Sequence, residues 1–416
     1  MTLVFWLSIA VIVYVYVGYP ALLHVWATFR ALRPAEESTP ESSINPQSPI
    51  HQSPITPQSA IRTPQCDVSI VIAAHNEASR LTARIDNLLA QDYVAGRRQI
   101  IVVSDGSTDD TLDVLSRYAG VVDVVTVPRG GKALALNAGV ARARFDIIVF
   151  ADARQMFAPD ALKELVASFS DPRIGAVSGE LLLDAESPCR RAGADRRSIE
   201  RRRAARELAS DRRIEERRRT IRSTIADGVG LYWTYEKHIR KSESAIDSTL
   251  GATGAIYAIR RSLYQPLPAD TILDDVLTPM RVVLAGYRVV FTERARAYDR
   301  AAIDADAEAR RKVRTLAGNY QILALEPRLL LPWRNRLWLQ YVSHKLGRLV
   351  VPHALLALFA ASIVLSVEHA FYFSVLGAQV IFYVLAGCGA LIEYRARIAD
   401  SRYAAARLTE ALREVV

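Results

Sequence analysis

Five acidic residues and one lysine stand where this chain could do chemistry. Glu77, Asp105 and Asp152 follow three successive β-branched runs, Lys132 opens the helical stretch after Gly130-Gly131, and Asp274-Asp275 comes well downstream. An open α/β sheet binds its ligands outside the carboxyl ends of its strands. A diphosphate is held by a lysine, a helix N-terminus and often a divalent cation. These residue types in this order therefore suit a nucleotide-sugar pocket. Each has a plainer explanation alone. Asp105-Gly106-Ser107-Thr108-Asp109 also makes a turn with a helix cap, and Glu77 can decorate a first helical turn. Asp152 can simply end a strand, and Asp274-Asp275 can be acid favoured by a helix dipole. Their coincidence on one sheet edge points to a site.

The elements that must position them follow from periodicity. Strands are predicted over Val68–Ala73, Gln99–Ser104, Val122–Val127, Ile147–Ala151 and Gly175–Gly179. Helices are predicted over Ser79–Ala90, Asp109–Ala119, Lys132–Arg142, Pro159–Phe169, Asp275–Ala285 and Ala305–Glu326. Near-continuous apolar strands separated by helices imply an α/β, mostly parallel sheet covered on both faces.

The chain has 416 residues, half of them hydrophobic, and the excess sits at the termini. Leu3–Phe29 carries no acidic or basic residue except His24 and is long enough for a bilayer core of roughly 30 Å. Leu349–Val367 and Ala370–Ile392 read as a hairpin of two further spans. Residues 1–30 are thus an anchor, 31–66 a Pro/Ser/Gln-rich linker with no core of its own, and 67–326 the catalytic-type domain. Residues 327–348 mix Trp, Tyr, Arg and Lys as an interfacial helix does, 349–393 hold the hairpin, and 394–416 form a tail. Arg30, Arg33, Lys345, Arg348, Arg395 and Arg397 flank the spans, which puts the domain and the tail on the cytoplasmic side of a bacterial-type inner membrane.

The net charge of +9 is local: residues 187–224 hold fourteen Arg against six Asp or Glu, including a duplicated Asp-Arg-Arg segment at Asp195 and Asp211. No aromatic residue is interleaved there for base stacking, so no nucleic-acid partner is expected. A solvated surface insertion, or one touching anionic lipid, fits the composition. Cys66, Cys189 and Cys388 are too scattered for a disulfide frame or a metal cluster.

The motifs together resemble a family 2 glycosyltransferase over Val68–Glu326, joined to membrane helices as in the poly-N-acetylglucosamine, hyaluronan and cellulose synthases. The resemblance implies a GT-A fold, Rossmann-like and flanked by transmembrane helices. It implies that Ala74, His75, Asn76 and Glu77 hold uracil and ribose, that Asp105 reads uracil, and that Lys132 lies beside the diphosphate. Asp152 matches the first carboxylate of Asp-x-Asp, with Mg2+ or Mn2+ implied there. Leu250–Ala255, with Gly254, matches the small-residue loop near the acceptor. Asp274-Asp275 stands where the family has Glu-Asp, making Asp275 the base. Arg311 to Thr315 stands where many members have Gln-x-x-Arg-Trp, so Arg311 and Arg314 belong to the acceptor and diphosphate side.

Two positions depart from the pattern. Arg154 replaces the second Asp-x-Asp carboxylate, and Thr315 replaces the tryptophan that stacks on a growing sugar chain. The implied activity is inverting transfer from a UDP-sugar to a saccharide in cell-surface polysaccharide synthesis. Transfer to a polyprenyl-phosphate carrier and a non-catalytic scaffold are the alternatives. Membrane lipids are implied partners, and two spans after the domain are few for polymer export, which suggests a homo-oligomer or an export partner.

Overall fold

A computed structural model of the chain describes residues 1–32, 66–184, 234–300 and 305–415. Nearly all of the linker, and the whole Arg-rich insertion, lie outside them. The chain divides into two compact units: Pro20–Lys345, and Met1–Tyr19 together with Leu346–Val416.

The larger unit is built on an eight-stranded sheet: β1 Val68–Ala74, β2 Arg98–Asp105, β3 Asp123–Val127, β4 Ile147–Asp152, β5 Met156–Phe157, β6 Ile174–Asp184, β7 Ile256–Arg260 and β8 Arg288–Arg300. Their order is β3-β2-β1-β4-β7-β6-β8-β5. The first four are mutually parallel, with Val71 opposite Ile101 on one side and Phe150 on the other. β7 runs antiparallel to both β4 and β6, β8 parallel to β6, and β5 antiparallel to β8.

Alternation along β1 sorts its side chains between two cores. Val68, Ile70 and Ile72 pack with Leu81, Ile85 and Leu88 of the helix Ala78–Leu89. Val71 faces the other way, with Leu136 of Lys132–Arg142 and Leu277 and Met280 of Asp274–Leu284. Burial on both faces explains the unbroken apolar runs. Gly139 sets how closely the Lys132 helix approaches, because a Cβ there would sit 2.4 Å from Val71 Cγ1. That helix carries Lys132 on its first turn, so the approach also sets where the ammonium lies.

The mostly parallel sheet is as expected, with β7 and β8 joining it where no strand was read and β5 adding a short edge. Two expectations are revised. The helix expected over Asp109–Ala119 spans only Thr111–Ser116, because the chain tightens at Tyr118 and Ala119 and turns at Gly120, φ +83°. The interfacial helix is broken: a turn at Pro327–Leu330 is followed by helix only from Trp338. Pro332 lacks an N–H, and the Asn335 side chain instead donates to the Leu329 carbonyl and accepts from the Leu337 N–H.

In the smaller unit, Phe5 packs with Leu358, Ala361 and Leu365. Its ring meets Tyr372 edge-on at 4.9 Å, and Gln379 donates to Ser362 Oγ at 2.8 Å. Among the described residues three helices are long and apolar enough to cross a membrane: Thr2–Arg30, Trp338–Leu365 and Ala370–Leu391. The last helix continues unbroken to Val415. Exposed Leu3, Leu7, Phe373, Phe382 and Leu385 suit a lipid environment.

Candidate active site

The loops after β1 and β2 are laced together. Asn76 takes a left-handed backbone, φ +56°, which Asn tolerates well. Its side-chain oxygen accepts from the Thr108 N–H at 2.8 Å, and Thr111 Oγ accepts from the Glu77 N–H at 3.1 Å. Glu77 itself pairs with Arg80 at 2.7 Å. His75 Nδ1 lies 2.8 Å from the Asp105 carbonyl, which can only accept, so the ring carries its proton there. Asp105 is buried, and its carboxylate accepts from the N–H groups of Gly130 at 2.7 Å and Gly131 at 3.0 Å. Gly131 has φ +89°, so Asp105 holds a glycine turn that aims the Lys132 helix.

Lys132 Nζ lies between two carboxylates, 3.1 Å from Asp152 Oδ1 at the end of β4 and 3.3 Å from Asp274 Oδ1. Burial works against its charge, but Asp274, Asp152 and Asp275 outweigh it and hold the ammonium above the ordinary lysine range. Asp152 also feels Arg84, a fully buried guanidinium stacked 4.1 Å over the Phe157 ring. Among the described residues Arg84 Nε and Nη2 find no hydrogen-bond partner, at a cost of roughly 1–3 kcal/mol for each unpaired group. Burial pulls its pKa down to about 9, and Asp152 opposes the fall.

A cavity of about 310 Å³ is lined by Ala74, His75, Glu77, Asp105, Lys132, Asp152 and Arg154, among others. Asn76 stands between two lining residues, His75 and Glu77, and does not itself line the cavity. Arg154 Nη2 donates to Asp299 Oδ2 on β8 at 2.5 Å, and Gln155 Nε2 donates to the same oxygen at 3.0 Å.

Asp274 and Asp275 open the helix Asp274–Leu284, where the dipole favours acid. Burial pushes the Asp275 carboxyl up to about 6 and the Asp274 charge adds to the rise, against Lys132, Lys345 and Arg240. The Ala252 N–H donates to the Asp275 carbonyl at 2.7 Å. A Cβ at Gly254 would lie 2.9 Å from Asp275 Oδ2, so only glycine leaves that carboxylate room. Arg240 Nη1 donates to Thr253 Oγ at 2.9 Å in the same loop. Arg314 Nη2 donates to the Ile272 carbonyl at 3.2 Å, beside the acidic pair; Arg311 is exposed on the same helix. Neither arginine lines the cavity.

Residues 69–241 match the family model described as Glycosyl transferase family 2. The chain carries a family 2 glycosyltransferase domain. The domain is 31% identical over 116 residues to a poly-beta-1,6-N-acetyl-D-glucosamine synthase of Staphylococcus aureus, covering 27% of this chain and 28% of that one. It is 34% identical over 124 residues to an N-acetylglucosaminyltransferase of Mesorhizobium japonicum, covering 28% and 29%. The match thus spans under a third of each relative. The GT-A fold is shared with a mannosyltransferase of Pyrobaculum calidifontis, solved with GDP-Man and Mn2+, at TM-score 0.60, 19% identity and 92% coverage of both chains.

The glycosyltransferase domain offers a poor donor set for a divalent cation. Asp152 is its only Asp-x-Asp carboxylate and already pairs with Lys132, and an arginine fills the second position. Among the described residues no three His, Cys, Asp or Glu side chains converge to hold a metal. Sequence reading missed Asp299, Arg240, Lys345 and Arg84. All four act across long sequence separations, and only the alternation of β8 could have flagged Asp299 as an inward-facing acid.

Proposed function

We propose that the protein is a membrane-bound inverting glycosyltransferase that moves a sugar from a UDP-sugar to a saccharide hydroxyl during synthesis of a cell-surface polysaccharide. The observation that carries this reading is the meeting of Lys132, Asp152, Asp274 and the raised-pKa Asp275 at one sheet edge beside the cavity. His75, Asn76, Glu77 and Asp105 take the nucleoside. Asp275 removes the acceptor proton as the hydroxyl attacks the anomeric carbon, and Lys132 meets the charge that grows on the departing diphosphate. Gly254, Arg311 and Arg314 belong to the acceptor side. The names of the relatives favour N-acetylglucosamine as the sugar. The three candidate spans support membrane association, and the basic flanks favour a cytoplasmic domain.

A second reading, transfer to a polyprenyl phosphate, is favoured by one observation: Arg240 and Lys345 both act on Asp275, and Lys345 lies in the second span. Release of UDP by the membrane-embedded protein across a panel of UDP-sugars, headed by UDP-N-acetylglucosamine, tests the main reading. Turnover with one donor supports it, and labelled product extracted into organic solvent would select the lipid acceptor. Folded protein silent on every donor and acceptor would leave a non-catalytic scaffold.

A further inference from the structure

The diphosphate end of the cavity departs from what a metal-bridged site requires. A divalent cation shared by protein and diphosphate needs carboxylate oxygens free to face it. Here the single carboxylate at the end of β4 has Lys132 Nζ at 3.1 Å, and that same ammonium reaches Asp274 at 3.3 Å. It thus occupies the point where two carboxylates converge. Arg84 lies behind Asp152 as a second cation, close enough for the two charges to interact. Two residues after Asp152, where a second ligand would stand, is a guanidinium.

That guanidinium is held from across the sheet. Asp299 lies on β8, with side-chain exposure of 5%, and its Oδ2 takes both Arg154 Nη2 and Gln155 Nε2. Arg154 is half-exposed and lines the cavity. No second hydrogen bond is made by its guanidinium among the described residues, so further N–H groups remain for a ligand. A guanidinium fixed at one nitrogen presents its others in a planar fork, which suits phosphate oxygens.

We infer that two resident cations, Lys132 and an Arg154 positioned by Asp299, neutralise the leaving diphosphate in place of a divalent ion, so that donor binding and transfer are metal-independent. This rests on the transferase reading above. In the step, the acceptor O–H proton passes to the Asp275 carboxylate and the new bond forms between that oxygen and the anomeric carbon. The bond from the anomeric carbon to the diphosphate oxygen breaks, and its electron pair leaves on the diphosphate. Lys132 and Arg154 face the added negative charge. Asp299 is a positioning residue and does not touch the donor.

Calorimetric binding of UDP to the full chain in nanodiscs, with GDP and uridine in parallel, separates this inference from turnover. The inference predicts UDP affinity in EDTA within about twofold of that in Mn2+. Arg154→Gln should weaken UDP by roughly 10- to 100-fold, the range for losing a charge-assisted contact, while uridine binding stays unchanged. Asp299→Asn should weaken UDP less, with the same indifference for uridine. Arg154→Asp, which restores the acidic pair, should bind UDP weakly in EDTA and recover in Mn2+. Wild-type UDP affinity lost in EDTA and restored by Mn2+ would overturn the inference even if transfer is confirmed. So would an Arg154→Gln variant, folded by circular dichroism, that binds UDP normally. Metal-independent nucleotide binding with no transfer to any acceptor would instead sink the transferase reading and leave the resident-cation site standing.

Discussion

The two halves of the sheet differ in kind. From β3 to β4 the strands are parallel; β2, β1 and β4 are buried on both faces and written as nearly unbroken apolar runs, and their carboxyl ends carry Glu77, Asp105 and Asp152. From β7 to β5 the directions are mixed, and the long strands β6 and β8 carry Glu180, Asp299 and several arginines. The first half builds the edge to which the proposed function assigns the nucleotide, as a doubly wound sheet would offer it. The second supplies what is particular to this protein: Asp299, which holds Arg154, and the loop before β7 that makes room for Asp275. On the proposed function, nucleotide binding and chemistry would be encoded in different strands.

The largest effect should come from the base. Asp275→Asn is expected to lower kcat by about 10³-fold, within the range for general bases, while UDP affinity changes little. The contrast between a nucleotide edge and a chemistry edge fails if UDP affinity collapses together with kcat.

Next in size is the loop before β7. A methyl at Gly254 meets Asp275 Oδ2 at 2.9 Å, so Gly254→Ala should turn the carboxylate and reduce kcat by roughly 10²-fold, with KM for the donor largely retained. Steady-state kinetics separates the two constants.

The pH profile follows. As the proposed base Asp275 must be deprotonated to act, and its pKa is raised to about 6 by burial and Asp274, against Lys132, Lys345 and Arg240. The rate should level off above about pH 6 and fall about tenfold per unit below it. Stability carries the opposite sign. A carboxyl raised above its unfolded value contributes stability below that value, and this is lost as pH rises towards 6. Asp275→Asn should therefore be at least as stable as the parent at neutral pH, which distinguishes lost chemistry from lost fold. A profile that Asp275→Asn leaves in place would assign the limb to another group.

The smallest effect belongs to the outer surface of the parallel half. Arg97 and Asp67 form an ion pair that is exposed on both sides. Arg97→Ala should leave Tm and turnover unchanged, since solvent screens such pairs.

The parallel half and its acids were legible because double-sided burial leaves an unmistakable apolar signature, and because Glu77, Asp105 and Asp152 stand at or just past the ends of three such runs. Asp105 was legible as a candidate, but not its hold on Gly130 and Gly131, which depends on how two loops close in space. β7 was read as part of an ordered stretch and not as a strand. Its Ile256–Arg260 run is short and follows a loop of small residues. β8 was missed because small alanines, Ala295 and Ala297, mark the buried positions leading to Asp299 in place of β-branched residues, so the alternation that could have flagged that acid was faint. Arg154 was visible as a departure. Its partner, 145 residues away, was not.

The most direct test of the central claim is the anomeric configuration of the product, read by NMR from an α-linked UDP-sugar donor. In-line attack assisted by a single base, Asp275, predicts a β-linked product. An α-linked product would require two displacements or a front-side route, and would contradict the assignment of Asp275 as the base of a one-step transfer.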